Sequence, residues 1–477
     1  MGYINMKKFN KEKYLKKLRF KKYKRYLYIG IPCILVLLIG IYFAYSKFSV
    51  SKEEEVVRTT VGDFISGDVV IGAYIDGEYS KTIPGKNDGY VVDKIVCDND
   101  ATASWNNDSW GIIVTNLTKR TKCNVYFETK RTPLTETITT AMSNNPSMFA
   151  SDDPGKNIRY IGANPSNYVY FNCSDYNNPT ADTCELWRII GVFNNVTKGD
   201  GSKENLVKII RADSLGNYSW DYKKNGVGSS TTDWGSNDWS DSQLMMMLNP
   251  TSYLKSGYTN SSDIISSGSQ QLYSKMGSYY NGTKGCSPAA VASGATFSCT
   301  EVDFTSTGLK NDTTRNAIEE VVWNLGGTSS FTSSSDGLAS HWYGYERGTI
   351  VYTGRPTTWT GKVGLRYPSD YGYATSGGTT KDRAACLAQE LYNWDSSDFS
   401  DCRRNDYLLN MYNYEWTLAP YSADASIVFF HEVKYASVHN GKAGAAIAVR
   451  PALYLKSSIL LDKGTGESSN PYTLKIQ

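Results

Sequence analysis

Histidine is nearly missing from this chain: among 477 residues there are only His341, His431 and His439. Any imidazole chemistry must use these three. The G-x-x-x-x-G-K-[ST] loop that cradles nucleotide phosphates is absent, as is the G-x-S-x-G elbow of the α/β-hydrolases. No cysteine pair has the tight C-x₂₋₄-C spacing that a zinc site needs. Ser252-Tyr-Leu-Lys255 matches S-x-x-K, but its S-D-N and K-T-G companions are missing, and four-residue patterns arise by chance in a Ser- and Lys-rich chain. Carboxylates stand in loops, as at Asp233, Asp238, Asp241 and Asp398, with nothing to set two of them at glycosidase separation. His431-Glu432-Val433-Lys434-Tyr435 begins like H-E-x-x-H but has Tyr where the second ligand belongs. His431, Glu432 and His439 could still form a two-His-one-carboxylate site across a hairpin. Ordinary polar strand or loop residues are the favoured reading, so no metal and no cofactor are expected. These absences weigh against an enzyme without excluding an unfamiliar active site.

Net charge is also small, +3 from 50 basic and 47 acidic residues, but it is unevenly spread. Residues 1–25 hold eleven Lys and Arg against one acid, Glu12, a net of +10; 39 basic and 46 acidic residues remain, a net of −7. Tyr26 to Tyr45 then runs without a charge, with tyrosines at both ends. Some 20 apolar residues match a hydrocarbon core of about 30 Å, and amphipathic rings favour its two interfaces. The expectation is an uncleaved signal anchor, residues 26–45, with a basic cytoplasmic tail, residues 1–25, touching anionic lipids. The positive-inside rule makes the protein single-pass in the plasma membrane, with its C-terminal domains extracellular. A nucleic-acid partner is not expected.

Cysteine usage agrees with an oxidising exterior. Apart from Cys33, eight cysteines fall into four close couples. The expected disulfides are Cys97–Cys123, Cys173–Cys184, Cys286–Cys299 and Cys386–Cys402.

Beyond a polar stalk, residues 46–60, the pattern turns strand-like. Val69-Val-Ile-Gly-Ala-Tyr-Ile75 leads into Asp76-Gly77, a hairpin signal. Residues 61–128 are expected to form a small β module, and residues 129–155 a linker with helical spacing from Leu134. Residues 156–477 read as one large domain. Its strands are expected at Tyr168–Asn172, Leu186–Phe193, Leu206–Arg211, Gly348–Tyr352, Ile427–Phe430 and Ala446–Leu455. Short helices are expected at Ser240–Leu248, with Ser240 and Gln243 as a capping box, and at Thr314–Asn324 and Lys381–Tyr392.

Several segments resemble a known type. Cys184-Glu-Leu-Trp-Arg-Ile-Ile-Gly-Val-Phe193, Val207-Lys-Ile-Ile-Arg211, Trp416-Thr-Leu-Ala-Pro420 and Ala448-Val-Arg-Pro-Ala-Leu-Tyr-Leu455 look like an uncharacterised family of bacterial surface domains with a W-T-L … V-R-P-A-L ending. That family is distantly similar to the C-type-lectin-like fold, which includes the formylglycine-generating enzymes. Thr121-Lys-Cys-Asn-Val-Tyr-Phe127 resembles small β repeats of bacterial surface proteins. For the large domain the resemblance implies a C-type-lectin-like fold, so the expected fold class is an N-terminal transmembrane helix plus a small all-β module plus a large α+β, β-rich domain. The Glu-Pro-Asn and Gln-Pro-Asp triplets of calcium-dependent sugar binding are missing.

What is abundant is aromatic surface: 11 Trp, 36 Tyr and 15 Phe, 13% of the chain. Several rings stand in Gly/Ser-rich surroundings, and Tyr and Trp give stiff contact area at low entropic cost. Trp234, Trp239, Trp342, Tyr343, Tyr345, Trp359, Tyr371 and Tyr373 are the candidate ligand-binding residues. The expected function is adhesion or binding of an extracellular glycan or protein ligand through aromatic loops. A glycan- or cell-wall-acting enzyme and a purely structural surface component are the alternatives.

Overall fold

The structure, a computed structural model, describes residues 15–16, 69–117, 119–221, 235–253, 277–288, 299–403, 405–408, 414–432 and 437–476. The chain divides into two compact units, residues 1–130 and 131–477.

In the first unit, strands β1 (Val69–Ile75), β2 (Glu78–Ser80), β3 (Tyr90–Cys97) and β6 (Thr121–Thr129) form a sheet in the order β2-β1-β6-β3. β1 and β2 are joined through Asp76 and Gly77, both at positive φ (49° and 90°). That is what a tight, right-twisted hairpin requires, and why Asp-Gly stands there. β1 runs parallel to β6, and β3 antiparallel to it. β4 (Thr102–Asn106) and β5 (Gly111–Thr115) form a separate hairpin. Alternate residues of β6, Cys123, Val125 and Phe127, are buried with Ala73, Ile112 and Val114. Cys97 and Cys123 face each other across β3 and β6 and are disulfide-bonded.

The second unit opens with a helix, Leu134–Asn144, that buries Leu134 and Ile138 one turn apart. Its main sheet has seven strands. β10 (Glu185–Thr197) lies in the middle, paired antiparallel with β11 (Lys203–Arg211) on one edge. On its other edge lie β8 (Ile158–Tyr160) and β9 (Tyr168–Phe171), with β7 (Phe149–Ala150) beyond β8. The strands Ala452–Leu455 and Val363–Gly364 continue the sheet past β11. Trp187 to Phe193 are all buried, which is why β10 is almost continuously apolar rather than alternating. A second sheet of five strands contains Tyr414–Pro420, Ile427–Glu432 and Ser437–Lys442. Disulfides Cys173–Cys184 and Cys386–Cys402 lie in this unit. The strands Lys284–Pro288 and Cys299–Asp303 pair antiparallel, but the side chains of Cys286 and Cys299 lie outside the described residues.

Several expectations need correction. The fold class is β-rich with few helices, the longest described one being the 11-residue Leu134–Asn144, rather than a transmembrane helix followed by a lectin-like α+β domain. Against the single-pass, plasma-membrane localisation stands the finding that, among the described residues, no helix is long and apolar enough to cross a membrane. The expected span at 26–45, with its basic tail, lies outside the described residues. Three disulfides are compatible with an extracellular protein. The helix expected at Thr314–Asn324 ends at Ala317, and Val321–Asn324 is a strand. β-Branched Val321 and Val322 with Trp323 favour a pleated surface once the helical turn stops. Gly348–Tyr352 contains no strand. The cap of Gln243–Leu248 is Ser242, whose hydroxyl accepts from the Met245 amide, rather than Ser240.

β10 carries two bulges, one between Ile189 and Gly191 and one between Phe193 and Val196. At the first, β8 approaches so closely that a Cβ on Gly191 would sit 2.0 Å from the Ile158 carbonyl oxygen. Backbone cannot yield as a flexible side chain can. Gly191→Ala is expected to destabilise the second unit by about 1–3 kcal/mol, the usual cost of overpacking. Denaturant unfolding measures it, and an unchanged midpoint would refute the close approach.

Candidate functional site

The second unit buries an ionic cluster behind a cavity. Asp370 lies in the short helix Pro368–Gly372 and is 1% exposed. Its Oδ1 accepts from Arg159 Nη1 of β8 at 2.8 Å, and its Oδ2 from Lys208 Nζ of β11 at 2.5 Å. The Tyr367 amide donates to Oδ2 at 2.9 Å, closing the helix's first turn. Burial alone would raise this carboxyl, but Lys208 and Arg159 outweigh it and hold it well below the usual carboxylate range. Arg159 also donates from Nε to Asp153 at 2.6 Å. Asp153 in turn accepts from the backbone and side-chain amides of Asn157, at 2.9 and 2.8 Å. A chain of charge-assisted bonds thus runs from Lys208 to Asn157.

Lys208 Nζ sits 4.4–5.7 Å from the ring centroids of Phe193, Trp323, Tyr367 and Tyr454. The same four rings line a cavity of about 130 Å³. The ammonium therefore lies behind an aromatic wall, where cation–π attraction supports it without exposing it. The lining also includes Asn157, Asn194, Asn195, Thr197, Val322, Asn324, Tyr343 and Arg347. The second bulge of β10 brings Asn194 and Asn195 there. Asn195 has φ 53°, and the Asn194 amide donates to Asn157 Oδ1 at 2.8 Å. Bulges of this kind re-aim side chains beside sites.

Arg347 follows the last residue of the helix Ala339–Glu346. Its guanidinium lies 3.5 Å from the Tyr343 ring centroid, and Nη1 donates to the Tyr343 carbonyl at 3.2 Å and to Glu346 Oε2 at 3.0 Å. A cation capping the carbonyls of a helix C-terminus is electrostatically favoured. Glu346 is fully buried and also accepts from the Ser369 amide at 2.8 Å and its hydroxyl at 2.6 Å. Burial pushes its carboxyl up to about 7, against the pull of Arg347.

Of the aromatic residues expected to bind ligand, Tyr343 lines this cavity. Tyr345 is half-buried. Trp239, Trp342, Trp359, Tyr371 and Tyr373 are buried in the core. Trp239 packs on Trp220, Trp342 on Phe429, Trp359 on Trp239, and Tyr371 on Trp394 and His431. Tyr373 faces Arg159. Trp234 lies outside the described residues.

The histidine cluster does not assemble. His431 is buried, its Nδ1 2.9 Å from Arg366 Nη2. Burial and then Arg366 hold its pKa well below the ordinary value. Glu432, its neighbour on the strand, points to the other face and approaches His439 at 3.6 Å. Among the described residues no group of three His, Cys, Asp or Glu gathers as a metal site.

Sequence reasoning missed Arg347, Asn195, Asn324 and Trp323. The Asn194-Asn195 pair inside an apolar strand was the available signal, since Asn is depleted in strands and enriched at positive φ. No protein-family model, curated protein or solved structure matches the chain.

Removing Asp370 leaves two buried cations without their shared partner. Asp370→Ala is expected to cost about 3–5 kcal/mol at neutral pH. The wild-type advantage is present above the unfolded carboxylate pKa and fades as acid titrates through the depressed folded value. Urea unfolding at neutral and acidic pH tests this, and a penalty independent of pH would contradict the ion-pair account.

Proposed function

We propose that the protein is an extracellular binding protein whose ligand is a glycan, with a terminal sugar group entering the Tyr343–Arg347 cavity. The observation that carries this reading is the lining itself. Rings of Trp323, Tyr343 and Tyr367 stand beside the amides of Asn195 and Asn324 and the hydroxyl of Thr197. Sugars present apolar C–H faces edged by hydroxyls, and pockets that combine rings with a few placed polar groups suit them. At about 130 Å³ the cavity has room for the equivalent of about four waters. That is the scale of one sugar's substituents and part of its ring, rather than of a protein loop. None of the described lining residues is a carboxylate, which favours binding over glycoside hydrolysis. The disulfides support an oxidising, exterior setting.

A glycan array probed with the full chain tests the reading. Tyr343→Ala and Asn324→Ala are each expected to weaken the best ligand roughly tenfold, the loss of about 1.4 kcal/mol of stacking or hydrogen bonding. Tyr79→Ala, an exposed ring of the first unit, serves as the control that leaves binding unchanged. Absence of binding to every glycan, or wild-type binding by both cavity variants, would sink it.

A further inference from the structure

Resting on that reading, we infer that the glycan is acidic and that Arg347 takes its carboxylate. Three observations on the cavity carry this. Arg347 is the one charged side chain among its described lining residues, so a bound anion meets no opposing carboxylate in the wall. Only Nη1 of Arg347 is committed, to Glu346 Oε2 and the Tyr343 carbonyl. No described residue accepts from Nε or Nη2, and the side chain keeps 25% of its surface exposed. These two nitrogens form one edge of the planar guanidinium, the edge that matches the two oxygens of a carboxylate. Stacking on Tyr343 and the bonds of Nη1 fix that edge in advance, which lowers the ordering cost of binding.

Glu346 gives the site a second property. It faces Arg347, the residue after its own helix, Ser369 and Asp370 on the helix Pro368–Gly372, Tyr367 just before that helix and Lys208 on β11. Its ionised form neutralises Arg347 and repels a ligand anion; its protonated form leaves the guanidinium charge to the ligand. Binding of an anion therefore couples to protonation of Glu346, and affinity falls as pH rises through about 7.

The test is calorimetric titration of the full chain with a glycan ending in a uronic acid, its methyl ester, and the neutral hexose analogue. The acid is expected to bind about tenfold or more tightly than either neutral form, as charge-assisted bonds outweigh neutral ones. Arg347→Gln should erase the preference. Arg347→Lys, which keeps the charge but not the fork, should restore only part of it. Glu346→Gln should flatten the decline in affinity across neutral pH, with folding of each variant checked by its thermal transition. Equal affinity for acid and ester would overturn the acidic-ligand inference and leave glycan binding standing. A sulfated glycan outcompeting the carboxylated one would overturn the carboxylate assignment. No binding to any of the three, with an array equally blank, overturns both.

Discussion

The carboxylate of Asp370 organises the second unit. It sits where β8, β11 and the helix Pro368–Gly372 converge, and it satisfies a cation from each strand and an amide from its own turn. Taking such charges out of water costs several kcal/mol per ion, so a buried pair is weak evidence of net stability. What it does impose is geometry. Arg159 is 211 residues from Asp370 in sequence and Lys208 is 162, yet each must arrive within a hydrogen-bond length. A one-residue slip in β11 would turn Lys208 to the opposite face and leave the carboxylate half paired. The cluster is best understood as a register lock for the main sheet.

The cavity inherits its rigidity from that lock. Four of the five rings that line the cavity, those of Phe193, Trp323, Tyr367 and Tyr454, are the rings that surround Lys208. Through Arg159 and Asp153 the same network holds Asn157, whose side chain then accepts the Asn194 amide and donates to the Tyr343 hydroxyl at 3.3 Å. Side chains of the lining are therefore connected through the buried Asp153, Arg159 and Asn157, of which Arg159 keeps Nη2 without a hydrogen-bond partner among the described residues. A polar interior specifies structure where its groups are satisfied, as the carboxylates of Asp153 and Asp370 are here.

The strands of this fold were legible because alternation and apolar runs are local signals. β6 buries every second residue, and β10 buries a continuous run. Three disulfides were legible because each closes a short stretch of chain. Short helices were harder: at Thr314–Asn324 a single turn of helical spacing gave way to a strand with no proline or glycine to mark the change. Which of the candidate rings turn inward was not legible, for a physical reason. In a Gly/Ser-rich loop no periodicity says which way a ring points, and an aromatic in such a loop fills the core as readily as it faces water. Trp239 and Trp342 went inward to stack on Trp220 and Phe429. Asp370, Arg159 and Lys208 carried no local signal at all, since their meaning lies in contacts across more than a hundred residues.

The position of Arg347 shows how site and fold use the same forces. At the end of its helix it meets the partial negative charge of the last carbonyls, and its Nη1 caps one of them, that of Tyr343. The Tyr343 ring, one helical turn earlier, lies against the guanidinium face. Glu346 beneath it is buried with both oxygens already hydrogen-bonded, so it anchors Nη1 without reaching the outer edge of the fork. Each contact that stabilises the helix end therefore also restricts the guanidinium to one orientation. A lysine there would satisfy the helix dipole as well. It would not present a planar edge, and it is the edge, rather than the charge alone, that distinguishes a site for a carboxylate from a positively charged surface.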